Sequence, residues 1–143
     1  MEKKKVIAAG HICLDITPMF PDRKVQHPGE LLSPGKLLEV GAADVHTGGS
    51  VANTGLAMKK LGADVSLMGK VGNDAFGNMI LDILKKHDAD TDMLIEEGEE
   101  TSYSVVLAIP GIDRIFLHNA GANRHFKAAD IPQEKLEEAA LFH

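Results

Sequence analysis

At 143 residues the chain is long enough for one domain with a real core, and 44% apolar with 25% charged residues is ordinary for a globular protein. The 15 Lys and Arg against 21 Asp and Glu leave a net charge of −6, which argues against a nucleic-acid-binding module with its basic face. A single cysteine excludes an internal disulfide, and no apolar run approaches the ~20 residues that span a bilayer.

The amino end lacks the apolar core and cleavage site of a secretory signal, so a cytoplasmic location is expected. Lys3, Lys4 and Lys5 form a small basic cluster, read as a solvated strand entrance. Val6-Ile7-Ala8-Ala9-Gly10 then reads as a buried strand ended by glycine. Cys13 lies in an apolar-flanked stretch and reads as a small core residue. Ligands gather beyond the carboxyl ends of strands in open α/β sheets, which makes Asp15 a candidate contact; taken alone it would read as a turn or cap.

From Thr17 to Thr47 four prolines and three glycines discourage long helices. Leu37-Leu38-Glu39-Val40 and Ala43-Asp44-Val45-His46 have the composition of short strands, so the segment reads as an excursion from the main sheet. A helix is expected from about Ser50 to Leu61, with Gly62 as its stop. Val65, Leu67, Gly69 and Val71 alternate with Asp64, Ser66, Met68 and Lys70 as in a strand. Asp74 is placed to cap a second helix with apolar face Phe76, Met79, Ile80, Ile83 and Leu84.

After Gly98 the pattern changes to a hairpin: Thr101–Ile109, a turn at Pro110–Asp113, and a return at Arg114–His118. It is expected to pair with the excursion as a small separate sheet. Ile131-Pro132-Gln133-Glu134 opens a helix ending near Phe142, and Leu141-Phe142-His143 also look like the start of a further buried strand.

Three stretches stand out in this order: V-I-A-A-G-H-I-C-L-D at 6–15, the glycine-bounded run from Gly48 to Gly77, and A-G-A-N at 120–123. Together with the hairpin they resemble the N-terminal half of the PfkB/ribokinase family of sugar kinases, over essentially the whole chain. The resemblance implies a ribokinase-like α/β fold, a three-layer parallel sheet with helices plus a small β lid. It divides the chain into an incomplete substrate-binding core (1–16, 48–98 and 124–143) and a lid (17–47 and 99–123).

It also implies the site. Asp15 would accept hydrogen bonds from sugar hydroxyls, Gly48 and Gly49 would offer backbone N–H groups, and Asn53 would reach a hydroxyl from the helix. Read without the resemblance, Asn53 is a helix-start residue bonded to local backbone. Ser104 and Val106 share one strand face, as do Phe116 and His118, and the resemblance turns these faces to the sugar. Val106 and Phe116 read equally as lid core, His118 as a half-buried polar residue rather than a base, and Asn123 as a turn residue. Cys13 falls where several sugar-specific members carry Asn and Ser50 where the ribose-type pattern has Lys, which leaves a different sugar, a sugar phosphate or a nucleoside open.

The chemistry implied is phosphoryl transfer from ATP with Mg²⁺. The family's G-A-G-D motif, with its base and anion-stabilising turn, is absent, so no catalytic or metal-binding residue is assigned. Asp74 reads as a cap rather than that base. The chain is therefore expected to be a fragment, the substrate-binding and lid half, inactive alone. A non-catalytic sugar- or nucleoside-binding module is the alternative. A Rossmann nucleotide site is disfavoured, because the first strand's turn lacks G-x-G-x-x-G. A homodimer through the lid is also implied; neither a nucleic-acid nor a membrane partner is.

Overall fold

The computed structural model describes residues 5–143; Lys3 and Lys4 of the basic cluster lie outside them. In chain order the elements are β1 (Lys5–Ala9), β2 (Cys13–Pro18), β3 (Ala43–Gly48), α1 (Gly49–Lys60), β4 (Asp64–Gly72), α2 (Ala75–Lys86), β5 (Asp90–Glu96), β6 (Tyr103–Leu107), β7 (Ile115–Asn119), α3 (Gln133–Glu138) and β8 (Leu141–Phe142). They make two sheets. One is wholly parallel in the order β5-β4-β1-β8. The other, β3-β2-β6-β7, is mixed: β2 runs antiparallel to β3 and parallel to β6, and β7 closes the hairpin with β6. This is the α/β arrangement with a second small sheet that the resemblance implies.

β4 is the keystone of the parallel sheet. From Val65 to Gly72 every residue is buried, because both faces of a central parallel strand are covered. Its two polar members are satisfied in place. Ser66 donates to Asp92 at 2.8 Å. Lys70, expected on the polar side of the alternation, is only 6% exposed. Its ammonium meets Glu96 at 2.8 Å and Asp130 at 3.2 Å and donates to the His125 carbonyl at 3.0 Å. The hydrogen bond to Glu96 chiefly raises its pKa.

α1 lies against β4, β1 and β3, and α2 against β3 and β2 of the second sheet as well as β4 and β5. Ile80 and Leu84 of α2 are fully buried, each contributing about 1.5–3 kcal/mol of transfer free energy. Met79, expected on that apolar face, is instead exposed. Asp74 is the N-cap: its carboxylate accepts from Gly77 N at 2.8 Å, Thr101 N at 2.8 Å and Thr101 Oγ1 at 2.6 Å. The last two bonds tie the start of α2 to the segment entering β6.

The second sheet packs one face on this core. Ile16, Val45 and Tyr103 lie against the buried cluster, and the Phe76 and Tyr103 rings meet edge-on at 5.4 Å. Asn123 fastens the return of the chain, its Nδ2 donating to the Ile12 carbonyl at 2.8 Å and its Oδ1 accepting from Ile12 N at 3.2 Å. That is the turn-setting role expected of it.

Several expectations need correction. The second sheet begins at Cys13, so Asp15, expected just past the first strand, sits within a strand of that sheet. Residues 37–40 form no strand; they follow the bend at Pro34–Gly35 and find no partner, and Leu37 is exposed. β5 was not anticipated. The last helix stops at Glu138 instead of reaching Phe142, because Ala140 N and His143 N donate to Lys5 O and Ile7 O on the edge of β1. The strand read at 141–143 is present, but Leu141 and Phe142 are about half exposed rather than buried.

Candidate functional site

The outward face of the second sheet carries a polar row set by strand register. Asp15 stands opposite His46 on one side and Ser104 on the other, and Ser104 stands opposite His118. Residues directly opposite across a sheet share a face, so four strands deliver one line of groups, His46–Asp15–Ser104–His118. Three of the expected site residues, Asp15, Ser104 and His118, are thereby brought together. Val106 and Phe116 follow on the same face; Val106 is buried and Phe116 exposed.

Asp15 is held from several directions. Its side chain is 19% exposed. The Cys13 thiol donates to Oδ1 at 3.3 Å, and His46 Nε2 stands 3.9 Å from Oδ2. Behind it lies Gly48: a Cβ there would fall 2.6 Å from the Asp15 Cγ and 2.9 Å from Oδ1, closer still to Oδ2. Gly48 has an ordinary extended backbone at φ −117°, so space rather than conformation requires glycine there. Gly49 differs. It has φ +86°, and a Cβ would meet the His11 carbonyl at 2.5 Å. That carbonyl accepts from Val51 N at 3.1 Å, so the first turn of α1 is buttoned to the end of β1.

Burial pushes the Cys13 thiol up to about 12, and the Asp15 charge adds to it, so the thiol is a fixed proton donor. His11 projects into the same region. Its ring meets the His118 ring edge-on at 5.4 Å, and its Nε2 is 3.5 Å from Ser102 Oγ. Ser102 Oγ donates to the Asn119 carbonyl at 2.9 Å. Burial lowers the His11 pKa and the nearby His118 lowers it further, against the pull of Asp15. Ser104 Oγ and His118 Nδ1 are 3.0 Å apart. The site thus presents one carboxylate, neutral donors and acceptors, and imidazole rings, a set suited to hydroxyl groups that both donate and accept.

Asn53 stands apart from this row. It is exposed on α1 and lines a cleft of about 280 Å³ with His46, Thr47, Lys60, Ile83 and His87 among others. Asp15 does not line that cleft; His46 is the residue common to both. His46, His11 and Ser102 were not anticipated. The signal for His11 was the one that flagged Asp15, a polar group just past the first strand.

Among the described residues no three His, Cys, Asp or Glu side chains are grouped to hold a metal ion. Asp74, at the glycine turn before α2, has its oxygens engaged by Gly77 and Thr101, and Lys70 is closed between two carboxylates. Burial alone would raise the Asp74 pKa; the bonds from Thr101 and Gly77 outweigh it and leave the carboxyl low. Among the described residues no helix is long and apolar enough to cross a membrane.

Comparison with known proteins gives a consistent result. Residues 4–143 match the family described as pfkB family carbohydrate kinase. Probable fructokinase-3 of Arabidopsis thaliana is 27% identical over 146 residues, covering 99% of this chain and 39% of that protein. A ribokinase structure from Giardia lamblia superposes with a TM-score of 0.80 at 19% identity, over 97% of this chain and 44% of that one. A fructokinase structure from Xylella fastidiosa with bound ATP superposes with a TM-score of 0.75 at 23% identity, over 99% of this chain and 42% of that one. The chain spans less than half the length of each of these proteins.

Proposed function

This chain belongs to the pfkB family of carbohydrate kinases, and from that premise we propose that it is the acceptor-binding and lid half of an ATP-dependent sugar kinase. The parallel sheet with its helices is the core half, and the second sheet is the lid. The observation that carries the reading is the Asp15 carboxylate, held by Cys13 and backed by Gly48, at the centre of the row His46–Asp15–Ser104–His118. In it Asp15 accepts from the acceptor's hydroxyls, and Ser104, His118 and His11 provide further polar partners. Gly48 and Gly49 shape the floor, and Asn53 borders the row on the far side of His46.

ATP with Mg²⁺ supplies the phosphoryl group in the intact enzyme. The groups that bind them lie outside this chain, and no step is assigned to its residues beyond holding and orienting the acceptor. The engagement of Asp74 and Lys70 supports a second reading of the chain by itself, a sugar- or nucleoside-binding module without chemistry. The exposed side chains of Phe116 and Leu117 on edge strand β7 favour a homodimer through the lid. A cytoplasmic setting suits this reading.

The test is calorimetric titration of the chain and of Asp15→Ala with ribose and fructose. Binding to the parent and its loss in the variant is the expected result; equal affinity in both removes Asp15 from the site. Adding ATP and Mg²⁺ separates the two readings from a third outcome: turnover by the 143-residue chain would overturn the assignment of the chemistry to residues outside it.

A further inference from the structure

We infer that the cleft between α1, α2 and the end of β3 is a second ligand site, and that it takes a small organic anion, a phosphate or carboxylate group on a compact apolar body. The site adjoins the acceptor row and stands independently of it.

The topology builds this cleft. α1 starts beside the carboxyl end of β1, where Val51 N donates to the His11 carbonyl at 3.1 Å, and leads to the amino end of β4. α2 leads from the carboxyl end of β4 to the amino end of β5. Because β1, β4 and β5 are parallel, the two helices run the same way and their last turns lie at one end. Lys60 closes α1 and His87 is the C-cap of α2, so both line the cleft at that end, while His46 and Asn53 line it at the other. Two turns of helix, about 10 Å, separate Asn53 from Lys60. Between them the walls are Leu56 and Ala57 of α1 and Ile83 of α2. The cleft measures about 280 Å³, just under the range of drug-sized pockets, which suits one ring with a charged group attached.

The lining selects the ligand. In a chain of net charge −6, this cleft has Lys60, His46 and His87 on its walls and, among the described residues, no Asp or Glu. His46 is already engaged, its Nδ1 3.2 Å from Asp44 and its Nε2 3.9 Å from Asp15, so it bounds the site and supplies no charge to it. The Lys60 ammonium and the His87 ring have no hydrogen-bond or ion-pair partner among the described residues. One is a point charge with three N–H donors and the other an imidazole, groups that an anionic oxygen satisfies. The carboxyl ends of helices oppose an anion through their free carbonyls, but here those carbonyls are taken. Ala57 and Met58 accept from Leu61 N and Lys59 from Gly62 N, and Ile83 and Leu84 accept from His87 N. Leu56 and Ile83 rest on the core by one side only, and with Ala57 they leave an apolar wall that a bare inorganic ion leaves wet.

The test is calorimetric titration of the chain with phenyl phosphate, phenylacetate, inorganic phosphate and benzyl alcohol, with backbone amide shifts followed by NMR. Phenyl phosphate or phenylacetate should bind at least ~10-fold tighter than inorganic phosphate, because only they cover the apolar wall. Benzyl alcohol has the ring without the charge and should bind at least ~10-fold more weakly than the tighter anion. The shifts should centre on residues 56–60 and 83–87. Lys60→Gln removes the charge and Ala57→Phe fills the cleft; both positions are exposed, and each variant should lose ~10-fold or more in affinity. Asp15→Ala should not weaken the anion. Shifts that centre instead on Asp15, Ser104 and His118 and vanish in Asp15→Ala put the anion in the acceptor row and overturn the inference. An affinity that both cleft variants retain overturns it, as does benzyl alcohol binding as tightly as the anions. So does the absence of saturable binding by any probe up to about 10 mM. The acceptor reading stands in each of these cases, because sugar binding through Asp15 is tested separately.

Discussion

Replacing Gly48 with alanine isolates the packing that holds Asp15. The backbone at Gly48 is extended, with φ −117° and ψ −172°, so alanine fits it without strain. By that account Gly48→Ala should stabilise the protein by about 0.4–1 kcal/mol through the unfolded chain. The added Cβ, however, lies 2.6 Å from the Asp15 Cγ and 2.9 Å from Oδ1. Relieving such an overlap costs about 1–3 kcal/mol, and either the strand shifts or the carboxylate swings away from the Cys13 thiol. The net expectation is destabilisation of roughly 1–2 kcal/mol, a fall in Tm of about 3–6 °C for a chain of this size. The same change in an Asp15→Ala background meets no carboxylate and should be neutral or stabilising. Thermal and urea unfolding of the four proteins then yields a coupling energy of about 1–3 kcal/mol. If Gly48→Ala shifts stability equally in both backgrounds, the carboxylate does not rest on Gly48 and the account of how Asp15 is held is wrong.

Three further outcomes are expected. Asp74→Asn should cost about 0.5–2 kcal/mol at pH 7 through the cap of α2. Because the folded-state pKa of Asp74 is lowered, its contribution is present above the unfolded value and is lost as pH falls below about 4, so the two unfolding curves should converge there; a constant gap down to pH 2 would contradict this. Lys70→Met leaves Glu96 and Asp130 facing each other without their cation, so it should lower Tm at neutral pH and by less in acid, where those carboxyls protonate; an unchanged Tm at pH 7 would show that the triad is solvated. Cys13 is buried with its thiol pushed up to about 12, so a thiol reagent at pH 8 should label it only in denaturant; rapid labelling of the native protein would place it at the surface.

What could be read from the chain before folding was what local pattern encodes. The opening strand, α1, β4, α2 with its Asp74 cap, and the hairpin announce themselves by period and by glycine or proline punctuation over short windows. β5 did not, because Asp90 and Asp92 break the apolar run in its first half. Asp92 belongs in a strand only once Ser66 and Lys135 reach it from elsewhere in the chain. Lys70 reads as a solvated residue for the same reason: its two carboxylate partners come from β5 and from the turn at Asp130. At the site, Asp15, Ser104 and His118 were named, while the register that aligns them, and adds His46 between Asp15 and Asp44, is a property of strand pairing that no local window contains.

The glycine pair shows how a legible motif carries more than one physical demand. The expectation was that Gly48 and Gly49 bring backbone N–H groups to a ligand. The space around them adds two requirements that act within the protein. Gly48 is where the Asp15 carboxylate packs, and Gly49 needs both a left-handed backbone and room for the His11 carbonyl. Because that carbonyl also accepts from Val51 N, the β3–α1 junction and the β1–β2 junction are closed onto each other at one point. The start of α1, the end of β1 and the strand β2 bearing Asp15 therefore cannot move independently there. A substitution at either glycine reaches the polar row by displacing Asp15 or His11, with no need to touch a ligand. The spacing of the glycines and the aspartate along the chain is thus one geometric constraint, imposed by a carboxylate and a carbonyl that both pack against atoms with no side chain.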